Sequence, residues 1–285
     1  MKLFILIVSA IVFSCSINAA EYRIIYFIHG DGNYLFHDNE GNALNAAENI
    51  LEQAKFVGEN SRGEVFIFYQ KPSAQFLFFN KDNGEFFYYH NGKEIVKESY
   101  EWGSSEYFTT EAELLKKYSG SKNINRNIFL YYGHEIPGSE SKGYHSSFPD
   151  KEFNINIFAK GVRNILTSLL IEKFDLVVLS TCRNGNEKVL SLLSNCTDYL
   201  IASPGDIHLS YLNSESLIKI TRYNFIPTVF IAKVFAESAF NQLSENTLTG
   251  IIINIYSLKN FQDNNDFIVA RFYKQPEFGL RKGNL

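Results

Sequence analysis

Five short apolar runs constrain this chain more than any other feature of it. Glu21 to His29 carries Tyr22, Ile24, Ile25, Tyr26, Phe27 and Ile28, and Gly63 to Gln70 carries Val65-Phe66-Ile67-Phe68-Tyr69. Ile128 to Tyr132, Asp175 to Thr181 (with Leu176-Val177-Val178-Leu179) and Tyr199 to Ser203 complete the set. Runs this short and this apolar read as strands buried on both faces. Between them, apolar residues recur at helical spacing: Leu44, Ala47, Ile50, Leu51 and Ala54 within 43–57, then 155–173, 186–193 and 226–243. Thr109 or Thr110 is placed to cap a further helix running to Tyr118. Strands alternating with helices predict an α/β fold, an α/β/α sandwich with a largely parallel central sheet. Phe76 to Phe79 and Glu85 to His90 flank Asp82-Asn83-Gly84, which predicts an antiparallel side hairpin. Gly250 to Ile255 reads as one more strand and Phe267 to Tyr273 as an edge strand.

With 285 residues, 45% of them apolar, the chain can bury a large core, which excludes an intrinsically disordered protein. It has no internal repeat and no linker between two cores, so one domain is expected over 21–285. Its 27 basic and 31 acidic side chains give a net charge of -4. No basic field exists to bind nucleic acid.

Residues 1–20 read as a secretory signal peptide. Lys2 is the positive start, Leu3 to Phe13 the apolar stretch, and Ala19 ends a small-residue cleavage site. The apolar stretch is too short to span a bilayer. Val12-Phe13-Ser14-Cys15 carries a second reading: it loosely resembles a bacterial lipobox, in which Cys15 would hold a lipid and form the chain's only tie to a membrane. Either way the expected location is secreted, periplasmic or cell-surface. After processing, Cys182 and Cys196 remain. Two cysteines cannot staple a domain of this size; they could pair with each other, but Cys196 reads as a buried apolar residue. No Cys/His group has the spacing of a zinc site, so no metal site is expected.

In open α/β sheets the reactive groups gather where parallel strands end at their carboxyl edge. Two ends carry chemistry. Ile128 to Tyr132 runs into Gly133-His134, and Leu176 to Thr181 runs into Cys182. A thiol needs a base to become a nucleophile near neutral pH, and imidazole has a suitable pKa. A helix beginning at Cys182 would lower the thiol pKa further, and Gly185 would permit the tight turn that exposes the sulfur. The plainer account is a small buried cysteine and a polar surface histidine.

Asp175-Leu-Val-Val-Leu-Ser-Thr-Cys182-Arg-Asn-Gly185, followed by Asp198-Tyr-Leu-Ile-Ala-Ser203, resembles the clostripain-like cysteine peptidases. Their nucleophile lies in an Asp-Ala-Cys-x-x-Gly turn ahead of an Asp-Tyr-Leu-Val strand. The opening Ile24-Ile-Tyr-Phe-Ile-His-Gly-Asp31-Gly-Asn33 resembles the family's start, and the resemblance extends over most of 22–212. It implies the caspase-like fold shared with gingipains and legumains, with a histidine about 50 residues before the cysteine. On that resemblance Cys182 is the nucleophile and His134 the general base, and the backbone N–H groups of Cys182 and Glu135 form the oxyanion hole. The family cleaves after basic residues, which acidic groups near the cysteine recognise. Two departures stand out. Glu135 replaces the family's glycine after the histidine. Ser180 replaces the aspartate two residues before the cysteine, which leaves Asp206 as the nearest acidic substitute. Ser180 and Asp206 are therefore the expected substrate-binding positions, and a peptide or protein is the expected partner.

Three further readings compete. Phe27-Ile28-His29-Gly30 looks like an oxyanion loop of an α/β-hydrolase, but the chain lacks Gly-x-Ser-x-Gly and has only His208 after Cys182. His29 and His37 read more simply as polar turn residues. Asp31, Asn33, Asp38 and Glu40 form an acidic group without the EF-hand spacing, so a solvated loop is expected. Calcium use in the clostripain group is what keeps that cation under consideration, and no cofactor is otherwise expected. The loop from Glu135 to Asp150 reads as polar and solvated, with Lys142 and Lys151 as sites of self-cleavage if specificity is basic. The alternative to an enzyme is a caspase-fold homologue without activity, acting as an exported binding module.

Overall fold

The computed structural model describes residues 21–32, 35–37, 43–72, 75–76, 79–80, 84–102, 107–120, 124–139, 142–207, 214–223, 226–246, 250–259, 261 and 267–275. The signal-peptide and lipobox expectations (1–20), His208, and Asn33, Asp38 and Glu40 lie outside them.

The chain opens with β1 (Glu21–His29), a short pair β2 (Leu35–His37) and β3 (Ala43–Asn45), helix α1 (Ala46–Asn60) and β4 (Gly63–Gln70). Another short pair, β5 (Gln75–Phe76) and β6 (Phe79–Asn80), precedes β7 (Gly84–His90), β8 (Lys93–Tyr100) and α2 (Thr109–Tyr118). The second half runs β9 (Ile124–Tyr132), α3 (Ile155–Leu169), β10 (Phe174–Ser180), α4 (Glu187–Leu193), β11 (Thr197–Ala202), α5 (Ser216–Ile220), α6 (Thr228–Asn246), β12 (Ile251–Ser257) and β13 (Ile268–Lys274). Nine strands form one sheet in the order β13-β12-β11-β10-β9-β1-β4-β7-β8. The middle five, β11 to β4, are parallel, and antiparallel strands extend the sheet at both ends.

Alternation along each central strand divides the core in two. Tyr22, Ile24, Tyr26 and Ile28 pack with α1, α5 and α6 on one face. Ile25 and Phe27 pack with α2, α3 and α4 on the other. This is the expected α/β/α sandwich. The strand order reverses between β1 and β9: the chain leaves β1 toward β4, then returns to β1's other side and continues outward through β10 and β11. Such a reversal opens a crevice beyond the carboxyl ends of the two strands.

Several boundaries differ from expectation. Residues 43–45 pair with β2, and α1 starts at Ala46, three residues later than the helical spacing suggests, because the Asn45 side chain accepts the Ala47 and Glu48 N–H groups. Helix α3 stops at Leu169 because Leu170 turns left-handed (φ 55°). The side hairpin is corrected. Gly84–His90 pairs with β4 on one side and β8 on the other, so it belongs to the main sheet. Its turn is Asn91-Gly92, both at positive φ (50° and 80°), as a tight two-residue connection requires. The Thr cap of α2 is also replaced: Phe108, left-handed at φ 55°, precedes the helix without a side-chain cap bond. No helix among the described residues is long and apolar enough to cross a membrane.

Candidate active site

Strand pairing brings the two expected reactive residues to the same level. β9 and β10 run parallel with Tyr132 opposite Ser180, and the Gly133 N–H donates to the Ser180 carbonyl at 3.3 Å. His134 and Cys182 each follow that last paired position by two residues, on strands about 4.8 Å apart. His134 is exposed, and partial burial lowers its pKa. Cys182 is half-buried and Cys196 fully buried, and neither is bridged.

The turn after β10 is held by its neighbours. Arg183 takes the left-handed conformation (φ 53°). The Arg183 N–H donates to the Gly205 carbonyl (2.9 Å), and the Gly185 N–H to the Ser203 carbonyl (2.7 Å). Gly185 is required by crowding: a Cβ there would sit 2.8 Å from Pro204 N, Ser203 C and the Tyr256 hydroxyl. Asn184, buried in this turn, donates from Nδ2 to the Ile136 carbonyl and accepts the Ile136 N–H at Oδ1, both at 2.9 Å. This two-bond clamp joins the loop carrying Cys182 to the loop carrying His134. The opposite side of the His134 loop is held by Tyr144, whose hydroxyl donates to the His134 carbonyl at 3.2 Å and lies 3.0 Å from the Tyr131 hydroxyl.

The electrostatics of the thiol depart from expectation. Helix α4 begins at Glu187 behind an Asn186 cap, so Cys182 lies outside the reach of its dipole, which fades within one turn. Burial pushes the thiol pKa up, and the Asp206 and Glu135 carboxylates act in the same direction. Sγ donates to the Ile207 carbonyl at 3.4 Å. Both influences favour the protonated form of the resting thiol.

The expected substrate-binding residues fare differently. Ser180 is fully buried in β10 with no hydrogen-bond partner for its hydroxyl among the described residues, so it presents nothing to the surface. Asp206 is exposed and already engaged. Arg183 grips its carboxylate through Nε (2.9 Å) and Nη2 (3.0 Å), while Glu135 lies 3.9 Å from Arg183 Nη1.

The loop expected to be solvated is anchored at its centre. Tyr144 and His145 are buried, and His145 Nδ1 meets His29 Nε2 at 2.9 Å. His29 is correspondingly a buried residue of the β1 end. Asp31, expected in a solvated acidic loop, is buried too, accepting the Ser147 N–H (2.9 Å) and hydroxyl (2.6 Å). Its carboxylate is thus buried against Ser147 and not solvated. Asn184, Tyr144 and His145 carried no sequence signal; only the pairing of β9 with β10 and β1 brings them together.

No family model matches the sequence, and no curated protein matches it. Solved structures do. A secreted C11 cysteine protease from Bacteroides thetaiotaomicron, in complex with an irreversible peptide inhibitor, aligns over 84% of this chain and 66% of its own, with 14% identity and a TM-score of 0.57. The same organism's C11 protease iotapain gives 15% identity and a TM-score of 0.54 over the same shares. An inactive zymogen C11 protease from Parabacteroides distasonis gives 14% identity and a TM-score of 0.53 over 84% of this chain and 62% of its own. The chain thus has the caspase-like fold of the clostripain-like cysteine proteases and spans just under two thirds of the length of these structures.

Proposed function

We propose that this protein is an exported cysteine endopeptidase, with Cys182 as nucleophile and His134 as general base. The observation that carries the reading is the β9–β10 register, which supports a thiol and an imidazole side by side at the carboxyl edge of the sheet. With a peptide bound, Sγ turns from the Ile207 carbonyl toward His134 and transfers its proton to the imidazole. The thiolate then attacks the scissile carbonyl carbon. The Cys182 and Glu135 N–H groups stabilise the oxyanion. Collapse of the tetrahedral intermediate breaks the C–N bond, His134 returns the proton to the departing amine, and water hydrolyses the thioester. Residues 1–20 direct export, and Cys15 is the point of lipid attachment if the anchor is used.

Specificity for basic residues requires Asp206, which Arg183 already neutralises. A substrate Lys or Arg must displace Arg183, so the resting site favours other side chains at that position. The second reading, an inactive binding module, is favoured by the protonated thiol turned away toward Ile207. Purified 21–285 and its Cys182→Ala variant, given a fluorogenic peptide library and an electrophilic thiol probe, separate the two. Cleavage and labelling confined to the wild type support the peptidase. Folded protein silent in both assays, with calcium supplied, supports the binding module.

A further inference from the structure

The carboxyl end of β1 carries a cluster for which the peptidase reading has no use. His29, Asp31 and His145 are all buried, and one ligating atom from each lies within 4.8 Å of the others. Two segments far apart in sequence converge there: the end of β1 with the turn after it, and the loop behind His134, 116 residues on. A cluster of two imidazoles and a carboxylate is the donor set of borderline cations such as zinc, whereas calcium takes six to eight oxygens.

The details match a ligating arrangement. His29 Nε2 and His145 Nδ1 point at each other at 2.9 Å, so one lone pair and one N–H occupy the space between the rings. Two nitrogens bound tetrahedrally to zinc stand roughly 3.3 Å apart. The gap therefore needs only a small opening, and the intervening proton moves to the outer nitrogen of the ring that carried it. Both imidazoles are buried, so little water competes for their nitrogens. Asp31 is oriented by the Ser147 N–H and hydroxyl, the outer-shell support that metal-bound carboxylates ordinarily have. Around the imidazoles stand aromatic rings: Tyr144 stacks on His29 at 4.7 Å, and Trp102 and Phe153 meet His145 edge-on at 5.0 Å. His145 also lines a cavity of about 460 Å³ with Trp102, Glu111 and Lys151, so the cluster borders a space large enough to hold water.

We propose that His29, Asp31 and His145 form a binding site for a divalent cation of the zinc class, completed by water from the adjoining cavity. The cation ties the loop behind His134 to the end of β1. Tyr144, next to His145, already bonds the His134 carbonyl, and a Cβ on Gly133 would lie 3.3 Å from His29 Cβ. The site is separate from Cys182 and does not depend on peptidase activity.

Metal-free 21–285, carrying Cys182→Ala so that the half-buried thiol cannot ligate, tests it. The protein is titrated with zinc and with calcium by calorimetry, and with cobalt(II) by visible absorption. The expected result is one equivalent of zinc, tetrahedral cobalt bands without a thiolate charge-transfer band, and no calcium in competition. His29→Gln and His145→Gln, each checked for folding by circular dichroism, should weaken zinc at least tenfold and abolish the cobalt bands. Failure of the folded Cys182→Ala protein to bind zinc stoichiometrically overturns the proposal without reference to the variants. So does zinc binding that survives both glutamine substitutions, or preference for calcium.

Discussion

Replacing Gly185 by alanine should loosen the nucleophile turn by a calculable amount. The new Cβ would meet Pro204 N, Ser203 C and the Tyr256 hydroxyl, each at 2.8 Å, and ordinary van der Waals contact begins at 3.4 Å, so something must move by 0.6 Å. Two of the three atoms are backbone at the end of β11, and neither can rotate away. The Gly185 N–H to Ser203 carbonyl bond at 2.7 Å crosses the same gap. Relief therefore comes from separating the turn from β11. Overpacking of this kind costs about 1–3 kcal/mol, which for a domain this large lowers Tm by roughly 2–4 °C per kcal/mol. The same shift moves Cys182 relative to its donors. Since a 1 Å misplacement can cost about a hundredfold in rate, labelling by a peptide-based electrophile should fall on the order of tenfold. Denaturant midpoints and labelling rates of Gly185→Ala can be compared with Gly138→Ala, where nothing lies within 4 Å of the added carbon. If Gly185→Ala stayed within about 0.5 kcal/mol of wild type and labelled normally, the crowding argument for this glycine would be wrong.

Three other outcomes follow from the same geometry. Because burial and the Asp206 and Glu135 carboxylates raise the Cys182 pKa, alkylation of the free protein by a small reagent should titrate at higher pH than a cysteine peptide run alongside. A profile shifted to lower pH would mean that a thiolate–imidazolium pair exists at rest. Arg183→Ala uncovers Asp206, so cleavage after Lys or Arg should rise relative to other residues, and adding Asp206→Asn should reverse the gain; an unchanged preference would remove Asp206 from substrate recognition. At the amino end of the sheet, Glu64 takes Arg23 Nε at 2.8 Å and the Gly120 N–H at 2.9 Å, with both side chains buried. Glu64→Ala should cost about 3–5 kcal/mol in urea unfolding by leaving Arg23 uncompensated, whereas Arg23→Met with Glu64→Leu should recover most of it. Equal losses would show that the ion pair is not the source.

The central strands were legible because burial on both faces leaves no charged residue to interrupt Ile24–Ile28 or Leu176–Leu179. The fold class followed from them, and so did the neighbouring ends of β9 and β10. The misplaced hairpin has a physical cause. Asp82-Asn83-Gly84 and Asn91-Gly92 are both turn signals, and the run after the second, Lys93 to Tyr100, is largely exposed and charged, so its apolar content is low. Charge of that kind protects an edge strand from pairing with another chain, and it also hides the strand from a reading based on hydrophobicity. The dipole assigned to Cys182 failed for a similar reason: Asn186, not the cysteine, caps α4, and nothing in Arg183-Asn184-Gly185 reveals that Arg183 turns left-handed first. Asn184 and His145 act across gaps of 48 and 116 residues, and no local pattern encodes partners at that distance.

The position of the strand-order reversal accounts for both clusters. A parallel sheet that winds outward from one point leaves the carboxyl ends of β1 and β9 without a connecting helix above the gap between them, so their loops must find partners in one another. The loop leaving β9 meets β10's loop through Asn184 on one side and β1's end through His145 on the other. His134 sits between those two attachments. Neither is supplied by regular secondary structure, since residues from Gly133 to Asn154 form neither helix nor strand where described. The orientation of His134 is then decided by side chains that never touch a substrate. Loss of the Asn184 clamp should separate the two candidate reactive residues. Loss of the His29–His145 contact should release the far side of the same loop. These are distinct failures, and comparing labelling of Cys182 with stability in Asn184→Ala and His145→Gln would tell them apart: the first should lower labelling more than it lowers stability, the second the reverse.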